Sequence, residues 1–475
     1  MDQHPPLYYL LLHFWLALFG DGEVAVRALS ALLGTLTIPA LYLLGRRLAD
    51  EKVGLLAALL LAVSPFHVRF AQETRMYTLL ALNASLALCA LVRLLDGVSV
   101  SGSRSGKRET SNLKPEDRNA WLDYVVFTAA ALWTHNTAVF FLLTANLLIL
   151  TLRLPCLRNT QYAIRHWLLA QLAVLPLWLP WLPAFLTQSA TVYREFWLPA
   201  PTWETVAGVV GAFVSDFLPL TGVGLYAVVM LFVGLALLGL VYFRRRPAHI
   251  MFLLVTLITP FVGEWLVSLR RPIFYDRTLI WASLPLYLLL AAGVRQLETR
   301  FSSLSGRVGR CFWGFRGRKA MFCQSKTWFI ITLMVLAINS LSLHEYYVHF
   351  QKEEWDEAAA LVAEQVEPDD LILFNATWTQ IPFDYYFRRL YNRPVAEHGL
   401  PVDLFERGVL EPKVATDDLP RLRALVRGHE RVWLVYSHDW YTDPQRLIPP
   451  ALEAQLDLLD RREFHGLQVW LYVRQ

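Results

Sequence analysis

The feature that most constrains this chain is a series of apolar segments that recurs along its first 345 residues. A helix needs about 20 apolar residues to cross a bilayer, and fewer when other helices surround it. The sequence predicts ten such spans, near 29–46, 54–70, 76–95, 120–134, 137–152, 166–187, 223–243, 249–269, 278–294 and 327–344. With 55% hydrophobic and only 18% charged residues, the chain is typical of a polytopic membrane protein built mainly of α-helices.

The loops between these segments alternate in charge. The loops placed in the cytoplasm contain 23 Lys and Arg residues, and the intervening loops contain 7. Basic loops stay on the cytoplasmic side of a membrane. This rule predicts a multi-pass plasma-membrane protein whose first outer loop is 1–28 and whose last 130 or so residues are extracytoplasmic. The net charge of +4 lies in the inner loops, so it does not indicate nucleic-acid binding.

Two domains follow from this division. Residues 1–344 form the membrane domain, and residues 345–475 have the composition of a soluble α/β domain. In the soluble part, 353–366 has helical spacing, and three runs read as strands at 371–374, 431–436 and 467–473. No nucleotide-binding glycine loop and no nucleophile motif occurs there, so the sequence does not predict its role.

Polar residues that chemistry could use collect on the predicted outer face. A charged side chain within a span costs about 2.5–3.5 kcal/mol on insertion scales, so ionisable groups beside the spans are functional candidates. Carboxylates, histidines and arginines from distant segments would offer a general base and cations for a phosphate-bearing lipid. The candidates are Asp2, His4, Glu73, Arg75, Tyr77, His135, Arg271, Tyr275 and Arg277.

Each candidate also has a structural interpretation. His4 before two prolines is compatible with a turn, and His135 with an ordinary loop between short helices. Glu73 and Arg75 could form an interfacial ion pair, and the arginines near 270–277 could extend to lipid headgroups. The residues alone leave these alternatives open.

Several of these residues lie in recognisable elements. DQHPPLYY at 2–9, QETRMY at 72–77, Thr134-His135 before an apolar helix, and the Arg-containing segment before a span ending LPLYLLLAAGV occur in this order. Together they resemble the family 39-like membrane glycosyltransferases of the GT-C fold, which include protein O-mannosyltransferases and aminoarabinose transferases. The resemblance extends over roughly residues 1–295.

The resemblance implies an inverting transfer of a sugar from a polyprenyl-phosphate carrier to an acceptor at the outer face of a bacterial plasma membrane. An acid in the first outer loop would be the base, and Asp2 is the acid that this chain offers there. Arginines would hold the lipid phosphate, with Arg277 first and Arg271 in reserve. The remaining candidates would bind substrate. The acceptor could be a protein, a lipid or a polysaccharide.

The chain departs from the family pattern at its start. Members usually carry a first transmembrane helix and an Asp-Glu pair upstream of HPPL, and neither precedes this element here, so we expect a truncated N-terminus. A catalytically inactive scaffold and a lipid or sugar transporter therefore stay open. The cofactor is not predicted: a divalent metal is compatible with the resemblance, and Glu73 and His135 could contribute ligands, but no dedicated ligand cluster occurs.

Overall fold

The computed structural model describes residues 4–100, 115–153, 160–192, 200–312, 319–403 and 413–474. Within these ranges the chain forms two compact units. The first consists chiefly of the described residues between 4 and 348, and the second of those between 349 and 474.

The first unit is helical throughout. Its helices are α1 (Leu7–Phe19), α2 (Glu23–Leu48), α3 (Glu51–Ala62), α4 (Pro65–Ala71), α5 (Tyr77–Val100), α6 (Pro115–Leu132), α7 (Val139–Arg153), α8 (Thr160–Trp178), α9 (Leu182–Val192), α10 (Trp203–Ser215), α11 (Gly222–Phe243), α12 (Pro247–Ser268), α13 (Ser283–Phe312) and α14 (Lys319–Val348). Short 3₁₀ turns lie before α7, between α8 and α9, and before α13, where one covers Asp276–Ala282.

Seven helical stretches within the described residues are long and apolar enough to cross a membrane. They coincide with seven of the ten predicted spans. The predicted span at 54–70 is two helices, α3 and α4, bent by 59° at the intervening Ser64. The Ser64 side chain accepts a hydrogen bond from His67 N, and Pro65 occupies the first turn of α4, so the break is a regular helix start. The predicted spans at 120–134 and 137–152 fall on α6 and α7, whose apolar stretches are shorter.

Close helix packing fixes the centre of this unit. A Cβ atom added to Gly239 on α11 would meet the backbone of Leu289 on α13, and one added to Gly293 on α13 would meet the backbone of Leu235. Two glycines facing opposite helices allow the backbones to touch, as is common between membrane helices. The α13 segment is accordingly the most enclosed of the long helices: 89% of its apolar window is buried.

The second unit is a three-layer α/β domain. Strands β1 (Leu371–Phe374), β2 (Ala396–Gly399), β3 (Arg431–Ser437), β4 (Leu456–Phe464) and β5 (Leu467–Arg474) form one sheet in the order β2-β1-β3-β5-β4. The first three are parallel, and β5 runs antiparallel to β3 and β4. Its helices are α15 (Trp355–Gln365), α16 (Gln380–Leu390), α17 (Leu419–Val426), α18 (Asp439–Thr442) and α19 (Ile448–Glu453). Residues from α15 and α16 pack on one face, and residues from α17 and α19 on the other.

The predictions for this unit are close to the structure. The expected helix at 353–366 is α15, which begins two residues later and ends one residue earlier. The three expected strands are β1, β3 and β5, with ends that differ by one residue or less. Strands β2 and β4 were not predicted. Strand β2 has four residues without an apolar run, and most residues of β4 are exposed, so neither strand carries the usual hydrophobic pattern.

Candidate functional site

Two histidines from distant turns meet in the membrane unit. His4 precedes α1, and His135 follows α6; the backbone N–H of Leu7 donates to the carbonyl of Trp133 at 3.1 Å, which joins the two segments. The centroids of the two imidazole rings lie 5.1 Å apart. His135 Nδ1 is 2.8 Å from Thr137 Oγ1. Within the part of the chain that the structure describes, His4 Nδ1 and His135 Nε2 are buried and have no hydrogen-bond partner.

An arginine lies close to this pair. The Arg277 guanidinium is stacked 4.6 Å from the ring centroid of Tyr275 and 5.7 Å from that of Tyr77. The Tyr77 ring is in turn 6.0 Å from the ring of His135. Five side chains from four separate segments therefore form one continuous cluster, which we call the imidazole–arginine cluster: His4, Tyr77, His135, Tyr275 and Arg277.

The surroundings of both imidazoles favour their neutral form. Burial, followed by the positive charges of Arg75 and Arg277, lowers the pKa of His4 to about 3. Burial, His4 and Arg277 lower the pKa of His135 well below its usual value. A neutral imidazole has one N–H donor and one acceptor nitrogen. The two rings can therefore donate to a phosphate oxygen or accept from a hydroxyl without adding charge.

Arg75 is held by its backbone beside this cluster. Ser30 Oγ on α2 donates to the Arg75 carbonyl at 3.2 Å. Because that proton is used, Tyr8 on α1 must supply the proton of the 2.7 Å contact between its hydroxyl and Ser30 Oγ. The Arg75 side chain is exposed. Helices α1 and α2 thus fix the loop from which Arg75 extends.

A second ion cluster adjoins the first. Arg69 on α4 lies 3.2 Å from Asp216 after α10, 3.5 Å from Asp276, and 3.8 Å from Glu73. Burial raises the pKa of Asp216, Arg69 opposes this effect, and the nearby Asp276 adds to it. Asp276 directly precedes Arg277, so the Arg69 ion cluster anchors the segment that carries the arginine of the other cluster.

Comparisons with known proteins show what this chain is similar to. Residues 3–102 match the family described as dolichyl-phosphate-mannose-protein mannosyltransferase. The structure is similar to ArnT from Cupriavidus metallidurans in the apo state, with a TM-score of 0.61, 14% identity, and coverage of 99% of this chain and 87% of that one. For the structure of the same ArnT bound to undecaprenyl phosphate, the TM-score is 0.60 and the identity is 14%. That match covers 99% of this chain and 88% of the other. No curated protein matches the sequence.

A second solved protein is similar over the whole chain. The Archaeoglobus fulgidus oligosaccharyltransferase AglB, in complex with an inhibitory peptide and a dolichol-phosphate, has a TM-score of 0.53 and 13% identity. The match covers 99% of this chain and 66% of that one. The chain has the GT-C fold of membrane glycosyltransferases.

In this GT-C chain, the predicted site residues divide into three groups. His4, Tyr77, His135, Tyr275 and Arg277 meet in the imidazole–arginine cluster. Glu73 and Arg75 lie beside it, and Glu73 pairs with Arg69. Arg271 is half-buried at the start of the Arg277 segment. Its backbone N–H donates to the Val267 carbonyl at 2.8 Å. Asp2 lies outside the described residues.

Three residues around the site were not among the predicted site residues. Arg69, Asp216 and Asp276 form the ion cluster beside Arg277, but their pairing joins positions up to 207 residues apart. The charge of Arg69 within an apolar segment was a weak signal of a function. Asp216 beside an apolar helix gave the same weak signal, and neither sequence position indicates the partner.

The structure also bears on the metal question. Within the described residues, no three His, Cys, Asp or Glu side chains are grouped so that they could hold a metal ion. The negative groups beside Arg277 are arranged around Arg69.

Proposed function

We propose that this chain is an inverting glycosyltransferase that moves a sugar from a polyprenyl-phosphate carrier to an acceptor at the outer face of the plasma membrane. The observation that carries this proposal is the imidazole–arginine cluster. Arg277 is fixed by two aromatic rings, and two buried imidazole nitrogens beside it lack partners among the described residues. Buried polar atoms are normally hydrogen-bonded, so unpartnered ones beside an arginine favour an anionic ligand.

The fold neighbours support the same ligand chemistry. ArnT from Cupriavidus metallidurans was solved with undecaprenyl phosphate, and AglB from Archaeoglobus fulgidus with a dolichol-phosphate. Both ligands are polyprenyl phosphates, which are long apolar chains with one phosphate group. A multi-helix protein with a cationic site at the end of its helices suits a substrate of that kind.

The proposed reaction is a single displacement. The acceptor oxygen forms a bond to the anomeric carbon as the bond from that carbon to the phosphate oxygen breaks, so the configuration inverts. The phosphate leaves with the electron pair, and Arg277 stabilises the charge that develops on it. His4 and His135 donate hydrogen bonds to the phosphate, and Tyr77 and Tyr275 orient Arg277. Arg75 extends from the neighbouring loop as a further cation, and Arg271 is the alternative phosphate contact.

The proton of the acceptor must go to a base. Asp2 is the proposed base, following the family pattern in which an acid of the first outer loop takes this role. The Glu73 carboxylate pairs with Arg69, so we assign Glu73 to substrate binding rather than to proton transfer. The second unit is proposed to lie outside the membrane, with the acceptor drawn from proteins, lipids or polysaccharides.

The test is sugar transfer by the purified chain in liposomes that contain a radiolabelled polyprenyl-phosphate sugar. Hexosyl and aminopentosyl donors are offered separately, with an envelope extract as the acceptor source. R277A is expected to lower transfer by about 10-fold or more, because it removes charge-assisted hydrogen bonds to the phosphate. R270A is the matched control, because Arg270 is exposed on the same segment.

The outcomes separate the alternative functions. Label in an acceptor product of inverted anomeric configuration, lost in R277A and D2N but kept in R270A, supports the proposal. Movement of the labelled lipid across sealed vesicles without transfer would indicate a transporter. Neither transfer nor movement with any donor would indicate a scaffold and overturn the proposal.

A further inference from the structure

A buried carboxyl group lies behind the Arg277 segment. Glu264 is in the last turns of α12, and its side chain is fully buried. Its Oε2 atom lies 2.6 Å from Thr278 Oγ1, and its Oε1 atom has no hydrogen-bond partner among the described residues. None of the ion pairs within those residues includes Glu264. An ionised carboxylate in this position would be a buried charge without a counter-ion, which is costly.

The hydrogens available to Thr278 decide which form of Glu264 fits. Thr278 Oγ1 is 2.6 Å from Glu264 Oε2 and 2.7 Å from the carbonyl oxygen of Tyr275. A hydroxyl group has one proton to donate, and a carbonyl oxygen can only accept. If Glu264 were ionised, Thr278 could satisfy only one of the two oxygens. If Glu264 is protonated, it donates to Thr278, Thr278 donates to Tyr275, and both short contacts are hydrogen bonds.

This hydrogen-bond chain adjoins the candidate site. Tyr275 and Thr278 flank Arg277, so the chain closes the turn from which the guanidinium extends. The Thr278 carbonyl oxygen also lies 3.4 Å from Thr137 Oγ1, and Thr137 contacts the ring of His135. Glu264 therefore connects, through Thr278, to the arginine and to one of the imidazoles.

Close packing keeps Glu264 in this place. A Cβ atom added to the neighbouring Gly263 would overlap the ring of Phe140 on α7. Helices α12 and α7 are thus in contact at this point, and Thr137 lies just before the start of α7. The carboxyl group has little freedom to turn towards solvent.

We propose that Glu264 is a neutral carboxylic acid that acts as a positioning residue: it donates its proton to Thr278 and so fixes Arg277 and His135 relative to each other. The positioning role rests on the proposed function, in which Arg277 and His135 hold the phosphate. The protonation state of Glu264 rests on geometry alone. The positioning role requires no negative charge at Glu264. An uncharged donor of the same shape should replace it.

Infrared difference spectroscopy tests the protonation state without any substrate. The full-length protein in liposomes at neutral pH is compared with E264Q, and with E204Q as the control, since Glu204 is exposed in the first turn of α10. The expected difference is loss of one carbonyl stretch of a protonated carboxylic acid in E264Q and not in E204Q. Loss of a carboxylate band in E264Q instead would overturn the proposal.

Kinetics test the positioning role. The amide of E264Q can still donate to Thr278, so its KM for the polyprenyl-phosphate sugar should stay within about 3-fold of the wild-type value, whereas E264L should raise it about 10-fold. T278S should behave as wild type and T278V as E264L. Equal impairment of E264Q and E264L, with both folded by thermal melting, would mean that the charge is required and would refute the proposal. If the wild type transfers no sugar, the proposed function fails, while the infrared result still decides the protonation state.

Discussion

The imidazole rings of His4 and His135 lie 5.1 Å apart at the junction of α1 and α6. The backbone hydrogen bond from Leu7 to Trp133 holds the two turns together, and the Tyr77 ring lies against His135. His4 Nδ1 and His135 Nε2 have no hydrogen-bond partner among the described residues, and both atoms are buried. Contacts within the chain therefore set the relative position of the two rings.

We expect the two histidines to act together in donor binding. H4A and H135A should each weaken the affinity for polyprenyl phosphate several-fold, and the double variant should lose less than the product of the two effects, because residues in contact are seldom independent. Binding of a labelled polyprenyl phosphate to the four proteins measures this coupling. If the binding free energies lost in H4A and H135A add fully in the double variant, the two rings do not act together on the same ligand group.

The lowered pKa of His4 predicts a pH dependence of stability. Its pKa falls from 6.5 to about 3 on folding, so the unfolded chain binds the proton at a pH where the folded chain does not. The free energy of unfolding should therefore decrease as the pH drops from about 6.5 towards 3, and above that window the contribution should be constant. Apparent melting temperatures in detergent should fall less steeply with acid in H4N than in the wild type. Parallel curves would contradict the assignment.

Arg69 should be more important for stability than any single acid that it pairs with. Replacing it by Met leaves three carboxylates close together and partly buried, which should cost about 2 kcal/mol or more. D216N added to R69M should recover part of that loss, because it removes one of the repelling charges. The measurement is thermal unfolding in detergent. A further loss in the double variant would show that Arg69 acts through packing instead.

The stacking of Arg277 predicts a difference between two substitutions of Tyr77. Y77F keeps the aromatic face under the guanidinium and should leave donor affinity within about 2-fold, whereas Y77L removes a cation–π contact of about 0.5–2 kcal/mol. Donor titrations compare the two. If Y77F is as weak as Y77L, the hydroxyl group and not the ring faces the substrate.

The contact between α11 and α13 makes a clear prediction about glycine. G239A places a methyl group against the Leu289 backbone, while G234A on the same helix meets nothing within 4 Å. G239A should destabilise by about 1–3 kcal/mol through overpacking, and G234A should be neutral or slightly stabilising. Melting temperatures of the two variants measured side by side check this. Equal values would mean that the helices are not in contact at Gly239.

The linear sequence was sufficient for the elements whose pattern is local. Apolar runs and basic loops gave the spans, because each span must bury its own backbone hydrogen bonds and match the bilayer. Strands β1, β3 and β5 were predicted because they are continuous apolar runs in the centre of a sheet. The bend at Ser64 was missed, since a continuous apolar pattern does not show where the helix axis turns.

The same difference between local pattern and tertiary packing applies to the residues of the candidate site. The sequence by itself determined that histidines, arginines and carboxylates collect at the ends of apolar segments, because charge is excluded from the segments themselves. Only the tertiary structure decided which of them meet: His4 with His135, Arg277 with Tyr77, and Arg69 with Asp216 and Asp276 from distant loops. Partner choice depends on how the helices pack against one another, and that information is spread over contacts such as Gly239 with Leu289 rather than carried by any local pattern.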